Sequence, residues 1–297
     1  MTAFGTGTLD SKLHPSASLT HPPLYQSGRR FPVTLTLLHM IACIIITRAV
    51  PYVTGRNVKN AKGQHAKIVL LACLFTLSVA LGNMSLQHIP VSTNQIVSST
   101  TPIFTALLSM ACLGRYQSNE QFASLLPIVA GVVVSCRSSV SSRGAMSDGI
   151  LLCFLSTLLR ALKSVVQESI LDGGRSMDSL SLLYHMAPLS ACLLIILVPF
   201  EASWDAIVSG SRQSPTLVYG LALNALLAVV VNLCNLLVTQ FSSAVTLQVH
   251  GNAKVALASL ISFVFMERSA DATTLTGAGI TLTGLVLYSR GHSRRRD

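Results

Sequence analysis

From residue 33 onward the chain alternates between long apolar runs and brief polar interruptions. The runs fall at about 33–53, 68–88, 91–113, 121–137, 147–171, 179–200, 215–237, 242–265 and 272–290. Each has roughly the 17–25 residues that a helix needs to cross a bilayer. The pattern predicts an all-α polytopic membrane protein with nine transmembrane helices, the fourth and ninth being short. The loops are brief, so residues 31–290 read as a single membrane domain. A polar tail rich in Ser and Thr precedes it at 1–30, and a basic tail follows at 291–297. The first 30 residues contain no apolar run long enough for a signal peptide.

The pattern also repeats. A shift of 153 residues lays 91–137 over 244–290 and matches Thr93 with Thr246, Gln95 with Gln248, Leu107 with Leu260, Ser109 with Ser262, Arg115 with Arg268, Gly131 with Gly284, Val133 with Val286 and Arg137 with Arg290. A second likeness pairs Leu37-Leu38-His39-Met40 with Leu183-Tyr184-His185-Met186 at an offset of 146. Mates lie five spans apart, and an odd number places the second copy upside down. The expected architecture is therefore an inverted-repeat helical bundle with halves at 31–137 and 147–290, as in secondary transporters. By this symmetry the helix at 147–171 needs a mate near residues 1–25, where the sequence cannot span. The expectation is a ten-helix, five-plus-five protein whose first helix is missing, through a truncated gene model or as a nine-helix variant.

Composition agrees with a membrane protein. Of 297 residues 51% are hydrophobic and 11% charged, against about 25% charged in soluble domains, and the mean hydropathy is +0.59. The net charge of +10 sits mostly in short loops and the C-terminus. Arg56, Lys59, Lys62 and Lys67 share one side with Arg115, Arg175 and the C-terminal arginines, which makes that side cytosolic. With nine spans the N-terminus is then lumenal, while a restored first helix brings it back to the cytosol. Nucleic acid is not an expected partner, because a basic face interleaved with exposed aromatics is lacking. Seven cysteines, one per apolar segment at most, show neither a CxxC pair nor metal-ligand spacing, so no metal and no cofactor is expected. Enzyme signatures such as HExxH and GxSxG are absent too.

Chemistry concentrates on a few polar residues at membrane depth. Lys254 lies in the middle of the run 242–265, and an ionised lysine there costs roughly 2.5–3.5 kcal/mol even on the lenient insertion scale. Arg160 and Lys163 lie mid-run in 147–171, while all eleven carboxylates fall in loops, tails or helix ends. The missing counter-charge reads as a ligand anion. Ser156, Arg160, Lys163 and Gln167 form one helical stripe, and arginine grips phosphate oxygens in a bidentate fork. The plainer reading, that these cations snorkel to an interface, fits poorly so far from either helix end. His250 shares a face with Lys254, with Gln248 and Asn252 on a neighbouring one; a structural histidine and an interhelical asparagine are the plainer alternatives. Gly251 permits close backbone approach or local unwinding beside the lysine. The polar run before Pro102, which ends at Thr101, suits a hinge or cavity wall, although most of its serines and threonines read as packing. Gly277, Gly279 and Gly284 read as helix-contact glycines.

Several stretches together resemble a known family: Phe31-Pro32-Val33-Thr34-Leu35-Thr36-Leu37-Leu38-His39-Met40, Thr101-Pro102-Ile103-Phe104-Thr105, Leu126-Pro127-Ile128-Val129-Ala130-Gly131-Val132, Gly251-Asn252-Ala253-Lys254 and Gly284-Leu285-Val286-Leu287-Tyr288-Ser289-Arg290. They are similar to the triose-phosphate translocator and nucleotide-sugar transporter family (solute carrier 35-like) of the drug/metabolite transporter superfamily, over about residues 31–290. The resemblance implies ten helices in two inverted halves and antiport of phosphorylated sugars or nucleotide sugars against phosphate or a nucleoside monophosphate. It also implies that Lys254 binds the substrate phosphate. Plastid members follow that lysine with arginine and many nucleotide-sugar carriers with threonine; here Val255 follows, as in the lysine-then-small-apolar branch.

The expected function is secondary antiport of an anionic, phosphate-bearing metabolite by alternating access, with Lys254, Lys163, Arg160, His250, Asn252, Gln248 and Thr101 as substrate-binding candidates. The alternative is a transport-inactive membrane scaffold or truncated paralogue. Besides the substrate, lipid is the expected partner, and a homodimer stays open. Golgi or ER membrane is the expected location, with the plastid envelope as the alternative because the N-terminal tail holds one acid, Asp10.

Overall fold

The computed structural model describes residues 32–55, 57–61, 63–89, 91–137, 147–171, 177–200, 215–265 and 272–293. The N-terminal tail, Arg268 and the arginines beyond residue 293 lie outside the described residues. Within them all regular structure is helical, as a lipid environment demands: a spanning segment satisfies its backbone groups internally only as a helix or a closed barrel. The helices are α1 (Pro32–Thr54), α2 (His65–His88), α3 (Val91–Ser98), α4 (Thr101–Leu113), α5 (Asn119–Arg137), α6 (Ser147–Leu171), α7 (Ser179–Leu197, ending in a 3-10 turn Val198–Phe200), α8 (Pro215–Phe241), α9 (Ala244–Phe265) and α10 (Ala272–Ser293). Six stretches of them are long and apolar enough to cross a membrane: Pro32–Thr54, His65–His88, Thr93–Leu113, Asp148–Leu171, Ser179–Leu197 and Val218–Phe241. Exposed side chains such as Ile45, Leu151, Ile196, Leu223 and Val230 suit a surface solvated by lipid.

Most buried hydroxyls bond within their own helix. Thr47 donates to the Cys43 carbonyl at 2.6 Å, Thr105 to Thr101 at 2.8 Å, Thr157 to Cys153 at 2.8 Å and Thr281 to Gly277 at 2.9 Å. These threonines satisfy their hydroxyls within their own helices and leave small, saturated faces for packing.

The run 91–113 is two helices rather than one. Pro102 has no N–H to give the Ser98 carbonyl. The Thr101 hydroxyl donates to that carbonyl instead. Ile103 N–H turns to Thr100 at 3.0 Å, which releases the Ser99 carbonyl as well. At the other end of α4, Gly114 closes the helix in the left-handed conformation at φ 62°, where a side chain would be strained. Arg115 N–H then bonds back to the Ser109 carbonyl at 3.3 Å.

The chain forms two compact units, and each draws on both halves of the sequence. One comprises Met1–Thr76 with Ser179–Cys234, the other Leu77–Asp178 with Asn235–Asp297. In the first unit α1 packs on α7, burying Met40 and Cys43 against a face that includes Leu183, Met186 and Ala187. Met40 and Met186 are mates at the offset of 146. The Arg48 guanidinium lies over the Tyr184 ring at 4.9 Å. His39 Nε2 bonds Asn224 Oδ1 at 2.6 Å, and the loop before α2 is held by Ser181 Oγ, which accepts from Lys59 N–H at 3.0 Å.

In the second unit the tightest pair is α5 on α10, and its contacts are reciprocal under the shift of 153. A Cβ on Gly131 would stand 2.5 Å from the Thr281 nitrogen and 2.6 Å from the Gly277 oxygen; one on Gly284 would stand 2.9 Å from the Ile128 nitrogen. Gly284 is the mate of Gly131, and Thr281 the mate of Ile128. A local two-fold axis therefore relates the two helices, and backbone meets backbone across it, as small residues allow in membranes. Gly277 and Gly284 are helix-contact glycines as read. Gly279 is not, since nothing lies within 4 Å of the corresponding Cβ position. Ala106, Leu125, Ile128, Val245, Val249 and Tyr288 form the apolar core where α4, α5, α9 and α10 meet.

Candidate functional site

All seven candidate residues fall in the second unit, on the α3–α4 break, α6 and α9. Helix α6 runs unbroken through Arg160 and Lys163, both half-buried. Arg160 has room because α2 presents a glycine. A Cβ on Gly82 would lie 3.0 Å from Ser156 Oγ and 3.7 Å from Arg160 Nη2, while Ser156 itself donates to the Ser78 carbonyl at 2.7 Å. A polar lining continues on the same side of the unit: Asn94 Nδ2 donates to Ser85 Oγ at 2.8 Å, and the Cys153 thiol lies 3.7 Å from the Asn94 carbonyl. Arg160 and Lys163 stand one turn apart within electrostatic reach of each other, a like-charge pair that favours an anion.

Lys254 and His250 are exposed and share a face of α9 by i, i+4 spacing. Among the described residues no carboxylate pairs with Lys254. His250 Nδ1 bonds its own helix at the Thr246 carbonyl, 2.8 Å away, so that nitrogen carries the proton and Nε2 is the lone-pair side. Helix α9 passes through Gly251 without unwinding, and nothing lies within 4 Å of a Cβ there. The expectation of close approach or local unwinding at that glycine is therefore corrected.

Asn252 and Thr101 have structural partners. Asn252 is buried and its amide donates at 2.8 Å to the Ser99 carbonyl, the group released by the break before Pro102. Ser99 and Asn252 are mates under the 153 shift, so this bond also lies near the local two-fold. Thr101 is buried with its hydroxyl on the Ser98 carbonyl. Both residues repair the break.

Gln248 ties the lysine helix to the cation helix: its Nε2 donates to Ser164 Oγ at 2.5 Å, and Ser164 in turn donates to the Arg160 carbonyl at 3.0 Å. One turn nearer the ends, the Ala244 N–H donates to Glu168 Oε2 at 3.1 Å. Four residues back along α6 thus match four forward along α9, the register of an antiparallel pair. Carried one turn further, that register puts Arg160 level with Asn252, and Lys254 about 3 Å deeper at 1.5 Å per residue. Measured from Glu168, Arg160 and Lys254 lie about 12 and 15 Å along the helix pair. Gln167, on the same side of α6, donates to Thr239 Oγ1 near the end of α8 at 2.6 Å.

Glu168 is a residue whose role its place in the sequence conceals. It sits in the last turn of α6, the place of an ordinary helix-end acid, yet only 2% of its side chain is exposed and it pairs with Arg115 Nη1 at 2.5 Å. The signal was present as an acid inside an apolar segment, one step from Gln167 on the polar stripe. Among the described residues no group of three or more His, Cys, Asp or Glu could hold a metal ion.

Comparison with known proteins converges on one family. The family model described as the Triose-phosphate Transporter family matches residues 24–289. The chain is 39% identical over 282 residues to a protein of Arabidopsis thaliana named as a probable sugar phosphate/phosphate translocator, covering 92% of this chain and 76% of that one. It is 35% identical over 277 residues to UDP-uronic acid transporter 1 of the same plant, covering 91% and 87%. A solved crystal structure superposes with a TM-score of 0.69 at 15% identity, over 87% of this chain and 88% of the other, which shows the fold alone. With Gln248 and Ala244 tied to α6 in an antiparallel register and a family match over residues 24–289, the chain belongs to the Triose-phosphate Transporter family: it is an integral membrane transporter, not an enzyme.

Proposed function

We propose that this protein is an antiporter of anionic, phosphate-bearing metabolites, exchanging a sugar phosphate or nucleotide sugar for phosphate or a nucleoside monophosphate by alternating access. The observation that carries the proposal is the register of α6 against α9 on one compact unit, which brings Arg160 and Lys254 within about 3 Å of the same level, with Lys163 one turn from Arg160. Such cations at mid-membrane call for a counter-charge, and a phosphate dianion supplies one while accepting charge-assisted hydrogen bonds from all three. Because the three share a unit, the phosphate anchor stays assembled as the protein changes state. An empty site leaves Lys254 without a carboxylate partner among the described residues, which disfavours crossing without cargo and so favours exchange over uniport. The names of the relatives support both cargo classes. His250 and Gln248 complete the binding set, His250 by accepting a hydrogen bond from a substrate hydroxyl at Nε2 and Gln248 by holding the seam, while Asn252 and Thr101 act by shaping the backbone beside it.

The test is counterflow in liposomes holding the purified protein. Phosphorylated sugars, nucleotide sugars and nucleotides are offered outside against trapped phosphate or nucleoside monophosphate. Stimulated uptake of at least one is expected; failure of all of them removes the proposal. We place the protein in Golgi or ER membrane, to be checked by imaging a fluorescent fusion of the full chain, with plastid-envelope labelling as the contrary result.

A further inference from the structure

Glu168 has two partners, and they join three separate parts of the second unit. One oxygen takes Arg115 Nη1 at 2.5 Å, from the turn that follows α4; the other takes the backbone N–H of Ala244, the first residue of α9, at 3.1 Å. The carboxylate is buried while Arg115 is 45% exposed. By alternation the turn after α4, the end of α6 and the start of α9 all reach the same side of the membrane, so the junction lies at one rim of the unit.

The chemistry of this junction goes beyond cohesion. The first N–H groups of a helix have no partner within it, and a carboxylate there is favoured by the helix dipole. A buried ion pair adds little net stability because desolvation cancels most of its attraction, and its better-attested use is to select a register. Here the register is the one on which Lys254 depends. We propose that Glu168 is a positioning residue for the phosphate anchor: by gripping the first turn of α9 it sets the depth and rotation of Lys254 relative to Arg160 and Lys163. A slip of one residue between α6 and α9 moves Lys254 by about 1.5 Å along the axis and turns it by about 100°. The bond from Gln248 to Ser164, one turn deeper, holds only while that register holds. This inference rests on the phosphate reading above for its consequence, though not for its geometry.

Two readouts test it. The first needs no substrate. In full-length protein with its seven cysteines replaced, Ser164→Cys and Gln248→Cys form a reporter pair for oxidative cross-linking in liposomes. Glu168→Ala is expected to slow the cross-link about tenfold, and Glu168→Gln, which keeps an acceptor for Ala244 but loses the charge, to slow it less. The second is exchange of radiolabelled inorganic phosphate without the reporter cysteines. Glu168→Gln is expected to raise KM about tenfold with kcat within about twofold. Arg115→Gln should match it, and the double variant should be no worse than either single one. Arg115 is exposed enough for its variant to fold even if Glu168→Ala does not. Unchanged cross-linking and KM, or additive losses in the double variant, overturn the proposal. If the parent protein exchanges no phosphate, the functional reading fails while the cross-linking readout still decides the role of Glu168.

Discussion

Lys254 shows how a single residue constrains function when its surroundings are apolar. The charge is legible in the sequence because it stands mid-run in an apolar segment, and the same position marks Arg160 and Lys163. Lys254→Ala should weaken phosphate exchange about 100-fold, as expected when a charge-assisted contact worth about 1.5–3 kcal/mol disappears. Melting of the purified variant should be unchanged. Wild-type exchange would take Lys254 out of the mechanism. Gly82 is the less visible half of the same site. Gly82→Val pushes against Ser156 Oγ, 3.0 Å from the Cβ position, and crowds the Arg160 guanidinium; KM for the exchanged anion should rise roughly tenfold. An equal KM would show that Arg160 needs no such space. Asn252 and Glu168 were harder to read, for opposite reasons. Asn252 stands two residues from the lysine and looked like a ligand contact, but its amide is spent on the Ser99 carbonyl. Glu168 looked like an ordinary helix-end acid, and only the arrival of Arg115 and Ala244 from elsewhere in the chain gives it a role.

At the scale of elements, the break between α3 and α4 follows from one proline, and its repair follows from neighbours the proline does not choose. Asn252→Ala strips the donor from a buried carbonyl and should cost about 1–3 kcal/mol, read as a lower melting temperature. A substrate KM that changes with no loss of stability would instead return Asn252 to the binding set. The α5–α10 pair makes a sharper demand. Gly131→Ala brings a methyl group against backbone atoms of Thr281 and Gly277, and overpacking of this kind costs about 1–3 kcal/mol. Gly279→Ala, on the same helix as Gly277 but facing open space, should be neutral. Equal melting of the two variants would disprove the close packing. The helices were legible because lipid leaves the backbone no alternative; the choice of which glycine touches which helix was not, because one apolar face looks much like another.

At the scale of the molecule, inverted halves in the sequence become two compact units that each combine pieces of both. Mates meet: α1 lies on α7, and α5 on α10. The alternation of spans also carries a prediction about sidedness. Asn60→Cys, in the loop before α2, should react with an impermeant maleimide from the cytosolic face, and His88→Cys, at the far end of the same helix, from the opposite face. Both positions are exposed. Labelling of both from one side would contradict the orientation drawn from loop charge.

Periodicity, charge and the 153-residue repeat were enough by themselves to specify a helical membrane protein, its approximate spans, the inverted relation between its parts and three mid-run cations. Those properties are local, or are linear in the chain, because the bilayer dictates helix length and makes every charge within it conspicuous. The tertiary structure alone decided that the two units mix the halves, that Gly131 and Gly284 are paired contacts, that Asn252 mends a broken helix, and that Glu168 sets the register of the lysine helix. Each of those depends on residues about 75 to 153 positions apart meeting at hydrogen-bond or van der Waals distance. In an apolar medium such meetings are selected by shape and by a few buried polar bonds, which leave little trace in the pattern of hydrophobic positions.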